Sequence, residues 1–402
     1  MKYRSCHHLE NFTLTFAHRI DSGDECVRIC CMPLASHLRP PGVALSETAE
    51  ESANSFVKIR AEMIAESMKF SLLDRWLAND ERKCTSACMG CVHYQLKDWE
   101  DTRQLITEIN LSMYPSPCQC KCVYCNVRAT DSCKSVRSDS YEKVFDIIDW
   151  MQKHNMIALD AAWQVSAGEI TIHPYKDKIL NLVKNQAVIF YTNCFIFDEK
   201  IAAILATNSK AAVDLSIDSG TRETWYKVKG VDNFSTVMDN LAKYFTASVR
   251  PGQITLKYII LPGINDNFDD YCSVIEIMKD LKVSHLTISP NTRQLYLQDK
   301  EQSLILARAA DQLAAMLNKN GLTVSCYFPI EGMSEPNNLQ TETSETPEPN
   351  DLITQTSQIP PHKRTKFHYN RYRLLSNITF GKLRRKYNEK RKALKKLLKE
   401  KT

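Results

Sequence analysis

Pro117-Cys118-Gln119-Cys120-Lys121-Cys122-Val123-Tyr124-Cys125-Asn126 is the stretch of this chain that says most about its fold. Three of its cysteines, Cys118, Cys122 and Cys125, follow the spacing C-x3-C-x2-C, with the aromatic Tyr124 directly before the last. Each iron of a cubane iron–sulfur cluster takes one outside ligand, so three thiolates leave one iron open to a small molecule. An open coordination position is typical of a catalytic metal site. Cys120 lies off this spacing, and we interpret it as a bystander.

The cysteines of the whole chain are clustered. The 402 residues contain 15 cysteines, all but three of them within the first 133 positions. An odd count argues against complete disulfide pairing. The segment Met1–Cys6 lacks the apolar core of a signal peptide, and no run of eighteen apolar residues predicts a membrane span. We therefore expect a cytoplasmic protein whose cysteines ligate metal. Cys194, Cys272 and Cys326 are interpreted as buried small hydrophobic residues.

The middle of the chain alternates strands and helices. Apolar runs predict strands at Leu105–Met113, Ala158–Ser166, Ala187–Thr192, Ala212–Ile217, Ile254–Leu261, His285–Ser289 and Leu322–Phe328. Helical patterns lie near Tyr141–Lys153, Lys176–Lys184, Glu199–Ala206, Phe234–Phe245, Asp269–Leu281 and Glu301–Asn318. Such alternation predicts parallel βαβ units, and six repeats favour the α/β class with a partial (β/α)6 TIM-type barrel. Function in such barrels lies at the carboxyl ends of the strands, where the cysteine motif falls.

Composition divides the chain into four predicted segments. Residues 1–100 are cysteine-rich and irregular and predict a small α+β domain, followed by the barrel at 105–330. Residues 331–361 are acidic and predict a disordered linker. From 361 to 402 there are 16 Lys and Arg against two acids, so this tail carries +14 and the preceding residues −9 of the overall +5. Leucines at helical spacing within 362–402 predict a basic amphipathic tail.

The cysteine spacing and its aromatic residue resemble the radical S-adenosylmethionine (radical SAM) superfamily. The resemblance implies a [4Fe-4S] cluster on Cys118, Cys122 and Cys125, whose open iron binds the amino and carboxylate groups of SAM. It implies reductive cleavage of SAM to a 5′-deoxyadenosyl radical, with electrons from a donor such as flavodoxin or ferredoxin. A zinc site is the alternative for the same three cysteines, although nothing after Cys133 offers a second cysteine pair.

Later segments are similar to the SAM-holding elements of that family. Ser166-Ala167-Gly168-Glu169 resembles its Gly-Gly-Glu motif with Ala in place of the first Gly, and Thr192-Asn193-Cys194 resembles Thr-Asn-Gly with Cys in place of Gly. Ser216-Ile217-Asp218 resembles the fourth-strand region, and Leu261–Asp266 the loop beside adenine. The resemblance thus implies as SAM-contacting residues Tyr124, Gly168, Glu169, Thr192, Asn193, Ser216 and Asp218. Each segment falls at the end of a predicted strand.

A second C-x3-C-x2-C group, Cys84, Cys88 and Cys91, precedes the barrel. Asn11–Phe16 and Cys26–Cys30 alternate around the turn Asp21–Asp24 and predict a hairpin. A cysteine, a hairpin, another cysteine and a compact cluster resemble the SPASM or twitch domains of radical SAM enzymes. That resemblance implies an auxiliary iron–sulfur cluster, with ligands among Cys6, Cys30, Cys31, Cys84, Cys88 and Cys91. Structural zinc and no metal at all remain alternatives.

The expected function is a radical SAM oxidoreductase or modifying enzyme. The SPASM-like pattern implies a peptide, protein or carbohydrate-linked substrate. The basic tail predicts contact with a polyanion, either an anionic membrane at the inner surface or a nucleic-acid backbone. An RNA-modifying radical SAM enzyme and a non-enzymatic, zinc-binding, membrane-associated protein are the alternative functions.

Overall fold

The computed structural model describes residues 2–18, 25–29, 42–46, 48–77, 95–98, 103–112, 117–125, 138–166, 168–291 and 300–326. The chain divides into two compact units. The first is Met1–Leu73 with Asn79–Leu339, and it contains the sheets described below. The second is Asp74–Ala78 with Gln340–Thr402, of which only residues 74–77 are described.

The described strands and helices are as follows. The strands are β1 (Lys2–Ser5), β2 (Thr13–His18), β3 (Glu25–Arg28), β4 (Gly42–Ala44), β5 (Gln95–Asp98), β6 (Ile106–Ser112), β7 (Ile157–Ser166), β8 (Ala187–Tyr191), β9 (Ala211–Ser216), β10 (Ile254–Ile260), β11 (His285–Pro290) and β12 (Thr323–Cys326). The helices are α1 (His7–Glu10), α2 (Ala49–Leu77), α3 (Ser138–Lys153), α4 (Lys176–Val183), α5 (Glu199–Thr207), α6 (Arg222–Lys229), α7 (Phe234–Ala247), α8 (Phe268–Asp280) and α9 (Lys300–Lys319).

A ten-stranded sheet organises the described residues, in the order β12-β11-β10-β9-β8-β7-β6-β2-β3-β4. Strands β6 to β12 are parallel neighbours in chain order, as helical crossovers require. This confirms the predicted α/β class with a partial TIM-type barrel. Each predicted barrel strand is present, with ends that differ from the prediction by at most two residues. The last strand, Thr323–Cys326, ends at the last described residue.

The N-terminal hairpin is confirmed and extends this same sheet. β2 pairs antiparallel with β3, and its other edge pairs parallel with β6, the first strand of the predicted barrel. β1 pairs instead with β5 in a separate two-stranded sheet. The elements of the cysteine-rich segment therefore continue the barrel sheet on one side.

The prediction that residues 1–100 are irregular is wrong for α2, which spans Ala49–Leu77. Its buried positions Ala53, Phe56, Arg60 and Ile64 recur at the three- and four-residue spacing of one helical face. Arg60 donates from Nη2 to the carbonyl oxygen of Leu9 at 3.2 Å. Across the described residues, no helix has both the length and the apolar character needed to cross a bilayer.

The barrel sheet has one apolar and one polar face. Trp163, Phe190 and Tyr258 point to the side where the helices pack and belong to one hydrophobic core with residues of α3, α7 and α8. Alternate positions point the other way and include the polar residues Asn110, Gln164, Ser166, Asp214, Thr255 and Lys257. The face turned away from the helices is the inner face of the barrel, so its interior is lined with hydrogen-bonding groups.

Candidate functional site

The cysteine motif lies in the connection that follows β6. Cys118 is exposed, and Cys120, Cys122 and Cys125 are half-buried. The thiol of Cys120 hydrogen-bonds to Cys118 and to Cys122. The first bond lowers the pKa of Cys118, and the second, together with the charge of Lys229, lowers the pKa of Cys122 to about 6. The pKa of Cys120 itself is raised, first because it is the donor to both. Cys120 is thus a hydrogen-bonded member of the loop as well as the cysteine that departs from the spacing.

The separation of the three motif thiols fits a cluster better than a single ion. The ligand atoms of Cys118, Cys122 and Cys125 do not all lie within 4.8 Å of one another. Two thiolates on one tetrahedral zinc, each at about 2.3 Å from the metal, would be about 3.8 Å apart. In a cubane each thiolate binds a different iron, which requires wider spacing. Three thiols on one short loop are therefore a donor set that fits a four-iron cluster.

The loop is docked on the carboxyl end of α6. Lys121 donates its N–H to the carbonyl oxygen of Lys229 at 2.7 Å, and Val123 donates to that of Val228 at 3.0 Å. The last carbonyls of a helix have no partner within the helix, so these bonds satisfy both elements at once. Gly230 ends the helix at φ 68°, and a Cβ there would lie 2.8 Å from Cβ of Lys121. Only glycine combines this conformation with so close an approach.

Beneath the loop lies a buried triad of Lys229, Asp218 and Tyr124. Lys229 Nζ donates to Asp218 Oδ2 at 2.5 Å, to the Tyr124 hydroxyl at 2.8 Å and to the carbonyl oxygen of Ser216 at 2.6 Å. Tyr124 donates its own hydroxyl to Asp218 Oδ2 at 2.5 Å. Burial alone would lower the pKa of Lys229, but the charges of Asp218 and Cys122 raise it above its ordinary value. The lysine is therefore held as a cation under the cysteine loop.

Asp218 joins this triad to the ends of two strands. It is fully buried and adopts a left-handed conformation at φ 51°. Its Oδ1 accepts from the N–H of Ile259 at 2.6 Å, and its carbonyl oxygen accepts from Asn265 Nδ2 at 2.8 Å. Ser216 lies at the end of β9 and contributes its carbonyl oxygen to Lys229. Asp218 is thus engaged on both carboxylate oxygens.

Glu169 ties the end of β7 to the end of β8. Its side chain is fully buried. Oε1 accepts from the hydroxyls of Thr171 and Thr192, each at 2.8 Å, and Oε2 accepts from the N–H of Asn193 at 2.6 Å. Burial raises the pKa of this carboxyl, although these hydrogen bonds oppose the rise. The N–H of Glu169 also donates to the carbonyl oxygen of Pro117 at 3.0 Å, which anchors the start of the cysteine loop.

Asn193 contacts the cysteine motif directly. Its Nδ2 lies 3.5 Å from Cys118 Sγ and 3.1 Å from Gln119 Oε1. Its Oδ1 accepts from the N–H of Phe195 at 2.9 Å, which fixes the amide. Cys194, the next residue, is fully buried at φ 55°, a conformation that favours glycine. Cys194 stands where the Thr-Asn-Gly motif has glycine, so the cysteine is held there with some backbone strain.

The structure brings most of the predicted site residues together at one end of the barrel. These are Cys118, Cys122, Tyr124, Glu169, Thr192, Asn193, Ser216 and Asp218. Gly168 adjoins them at φ 70°, and Cys125 closes the loop by donating its N–H to the carbonyl oxygen of Cys122. Cys6 is elsewhere, at the start of α1. Cys30, Cys31, Cys84, Cys88, Cys91, Ala167 and the basic tail lie outside the described residues.

Lys229 lies in the segment that resembles the fourth-strand region of the family, but it is not among the predicted site residues. Helix α6 was not predicted, because Arg222–Lys229 is short and rich in charge. The available signal was the spacing of Trp225 and Lys229, which places the lysine on the same helical face as a fully buried tryptophan. Of the three cysteines expected to be buried, Cys194 is buried, whereas Cys272 and Cys326 are half-buried.

Part of the chain is similar in sequence to a known family, and the fold is similar to several solved structures. The model of the Radical SAM superfamily matches residues 117–275. SuiB from Streptococcus suis bound to precursor peptide SuiA has 12% identity and a TM-score of 0.43, over 81% of this chain and 72% of that chain. SuiB bound to S-adenosylmethionine has a TM-score of 0.41 and 12% identity, over 81% and 71%. TsrM from Kitasatospora setae, a radical S-adenosylmethionine methyltransferase with tryptophan substrate and a SAM analogue bound, has 13% identity and a TM-score of 0.33, over 45% and 35%. No curated protein matches the chain significantly in sequence.

Proposed function

Since residues 117–275 match the model of the Radical SAM superfamily, we propose that the protein is a radical SAM enzyme with its cluster on Cys118, Cys122 and Cys125. When bound, the cluster supplies the low-potential electron that cleaves SAM to methionine and a 5′-deoxyadenosyl radical. The observation that carries the proposal is the cysteine loop, which is docked on the carboxyl end of α6 beside the ends of β7, β8 and β9. The cluster would be the one cofactor and SAM the other, with flavodoxin or ferredoxin as the electron donor.

The residues around the loop have distinct roles in this proposal. Asn193 donates to Cys118 Sγ and so stabilises negative charge on the cluster ligands. Lys229 and Asp218 hold the hydroxyl of Tyr124, which fixes the aromatic ring between two ligating cysteines. These side chains position the ligands.

SAM would bind along the strand ends that meet at the loop. The carboxylate of Glu169 is buried and already accepts hydrogen bonds from Thr171, Thr192 and Asn193. We therefore assign Glu169 to holding the turn after β8, and assign contact with the amino group of SAM to the main chain at Gly168. Ser216 and Asp218 would border the ribose and carboxylate through main-chain groups, because the carboxylate of Asp218 is already engaged.

The inner face of the barrel supports a polar substrate. Asp214 accepts from Thr255 Oγ1 at 2.8 Å through Oδ2, while its buried Oδ1 has no hydrogen-bond partner among the described residues. Burial raises the pKa of Asp214, and the charge of Lys257 opposes that rise. A buried polar atom without a partner is costly unless a ligand satisfies it. A peptide, protein or carbohydrate-linked substrate has the donors needed.

The remaining expectations belong to the same proposal. An auxiliary iron–sulfur cluster on the N-terminal cysteines would either accept the electron left after hydrogen abstraction or bind the substrate.

The basic tail at 362–402 would hold this cytoplasmic enzyme at an anionic surface, and its removal should abolish salt-dependent binding to anionic vesicles.

Anaerobic purification, iron and sulfide analysis and a dithionite-driven assay for 5′-deoxyadenosine test the function. We expect Cys122→Ala to abolish SAM cleavage, and Cys88→Ala to retain uncoupled cleavage while losing product formation. Cys272→Ala, on α8, is the matched control and should retain both. An iron-free protein, or one that cleaves no SAM after reconstitution, would refute the proposal. Equal losses in the first two variants would contradict separate roles for two clusters.

A further inference from the structure

A second group of metal-ligating side chains lies away from the cysteine loop. His7 and His8 of α1 meet Glu108 of β6, and one ligand atom from each lies within 4.8 Å of the others. Within the described ranges this is the one group of three or more histidine, cysteine or acidic ligand atoms so close together. Glu108 precedes the end of β6 by four residues, about 13 Å of strand at about 3.3 Å per residue. The group therefore lies well below the carboxyl ends of the strands, where the cysteine motif is placed.

Glu108 is a buried acid whose two carboxylate oxygens both accept hydrogen bonds. Its side chain is 7% exposed and sits on the polar face of the sheet. Oε1 accepts from Gln164 Nε2 at 2.5 Å, and Oε2 accepts from Thr13 Oγ1 at 3.0 Å. A buried carboxylate needs a positive partner as well as hydrogen bonds. Among the described residues, the basic side chains that reach Glu108 are His7 at 2.9 Å and His8 at 3.9 Å.

The two imidazoles present ring nitrogens to the same carboxylate oxygen. His7 faces Glu108 Oε2 with Nε2 at 2.9 Å, and His8 Nδ1 lies 3.9 Å from the same oxygen and 3.3 Å from Thr13 Oγ1. The side-chain amide nitrogen Nδ2 of Asn11 lies 2.9 Å from His7 Nδ1 and 3.2 Å from His7 Nε2. The Asn11 amide therefore restrains the His7 ring, while Nε2 keeps its contact with Glu108 Oε2 at 2.9 Å.

We propose that His7, His8 and Glu108 bind one divalent transition-metal ion, Zn²⁺, separate from the iron–sulfur chemistry of the cysteines. Two imidazoles and one carboxylate are a donor set that Zn²⁺ takes with one position left for water. His7 is 67% exposed on its side chain, so solvent reaches that fourth position. The ion neutralises the buried carboxylate and joins α1 to the first barrel strand, which the sequence places about a hundred residues apart.

The first test is the metal content of the full-length protein purified anaerobically. We expect the His7→Ala/His8→Ala double variant to lose one equivalent of zinc per chain, with iron and sulfide unchanged. His154→Ala, an exposed histidine at the end of α3, should keep the zinc content of the parent protein. Zinc that stays the same in the double variant, or that falls together with iron, overturns the proposal.

The second test avoids variants that remove packing at α1. Glu108→Gln keeps the shape of the side chain and removes its charge. The full-length protein is produced in zinc-depleted medium and titrated anaerobically with Co²⁺. We expect d–d bands that the parent protein shows and Glu108→Gln lacks, with at least tenfold weaker binding at this site in Glu108→Gln and the same thiolate-to-cobalt charge-transfer intensity from the cysteines in both proteins. A thiolate charge-transfer band alone, or equal affinity in the two proteins, would show that Glu108 belongs to a metal-free hydrogen-bond network.

Discussion

Replacing Lys229 by Met should cost much more stability than any other single lysine change on α6. The ammonium makes three hydrogen bonds, and the side chains of Lys229 and Asp218 are 4% and 0% exposed. Removing one partner of a buried ion pair leaves an uncompensated charge, which costs about 3 to 5 kcal/mol. That would remove about a third of the free energy of unfolding of an ordinary domain, which is roughly 5 to 15 kcal/mol.

The matched control is Lys227→Met on the same helix. Lys227 is 55% exposed and pairs with Glu223 at 2.7 Å across one helical turn. An exposed pair of this kind contributes about 0.3 to 0.5 kcal/mol. Both variants are unfolded with urea under anaerobic, metal-free conditions and followed by circular dichroism, so that the shift in midpoint gives the change in free energy.

A double variant separates the loss of charge pairing from the loss of packing. Lys229→Met/Asp218→Asn removes the buried carboxylate together with its partner. We expect it to be more stable than Lys229→Met alone by about 1 to 3 kcal/mol, because no buried charge is left unpaired. The reasoning is refuted if Lys229→Met lies within 1 kcal/mol of Lys227→Met, or if adding Asp218→Asn destabilises the protein further.

Three other outcomes follow from single contacts. Asn193→Ala removes the donor to Cys118 Sγ and should lower the reduction potential of the cluster by about 20 to 60 mV in an EPR-monitored titration, whereas Asn320→Ala, directly after α9, should leave it unchanged. In urea unfolding, Cys194→Gly should have a free energy of unfolding about 1 kcal/mol higher than Cys194→Ala, because φ at this position is 55°. A higher free energy for Cys194→Ala, the usual order for glycine and alanine, would contradict strain at this turn. Burial lowers the pKa of His173 to about 4, so the unfolded chain takes up the proton first as pH falls. Between pH 7.5 and 5.5 this should cost about 1.3 kcal/mol of stability, and His173→Gln, measured in parallel, should lack that part of the slope.

The barrel strands were predictable because each is a short apolar run bounded by a helical pattern. Trp163 and Phe190 face the core, and flanking helices of fixed period leave little freedom in where a strand begins. The first strands of the sheet were harder. β2 was recognised as half of a hairpin, but its pairing with β6 is a contact between residues about 95 positions apart, such as Thr13 and Glu108. No local pattern encodes a pairing over that distance.

The cysteine ligands could be predicted from the sequence, but the contacts that hold them could not. Spacing alone identifies Cys118, Cys122 and Cys125 as one donor set. It does not reveal that Lys229 is buried, because a lysine in a charged eight-residue helix is normally solvated. It also does not reveal that Glu169 is fully engaged with Thr192 and Asn193. Side-chain partners from different strands become visible only when the strand ends are placed side by side.

The cysteine loop depends on these partners because it has little structure of its own. Among its described residues, Cys125 to Cys122 is the one main-chain hydrogen bond within the loop. Its other anchors are contacts with three separate elements. These are the N–H of Glu169 after β7, the side-chain amide of Asn193 after β8, and the carboxyl end of α6 at Lys229, after β9. A loop held mainly from outside takes its geometry from the packing of those strand ends. Binding of a cluster should therefore stabilise the whole end of the barrel, and loosening any one anchor should weaken both the cluster and the fold.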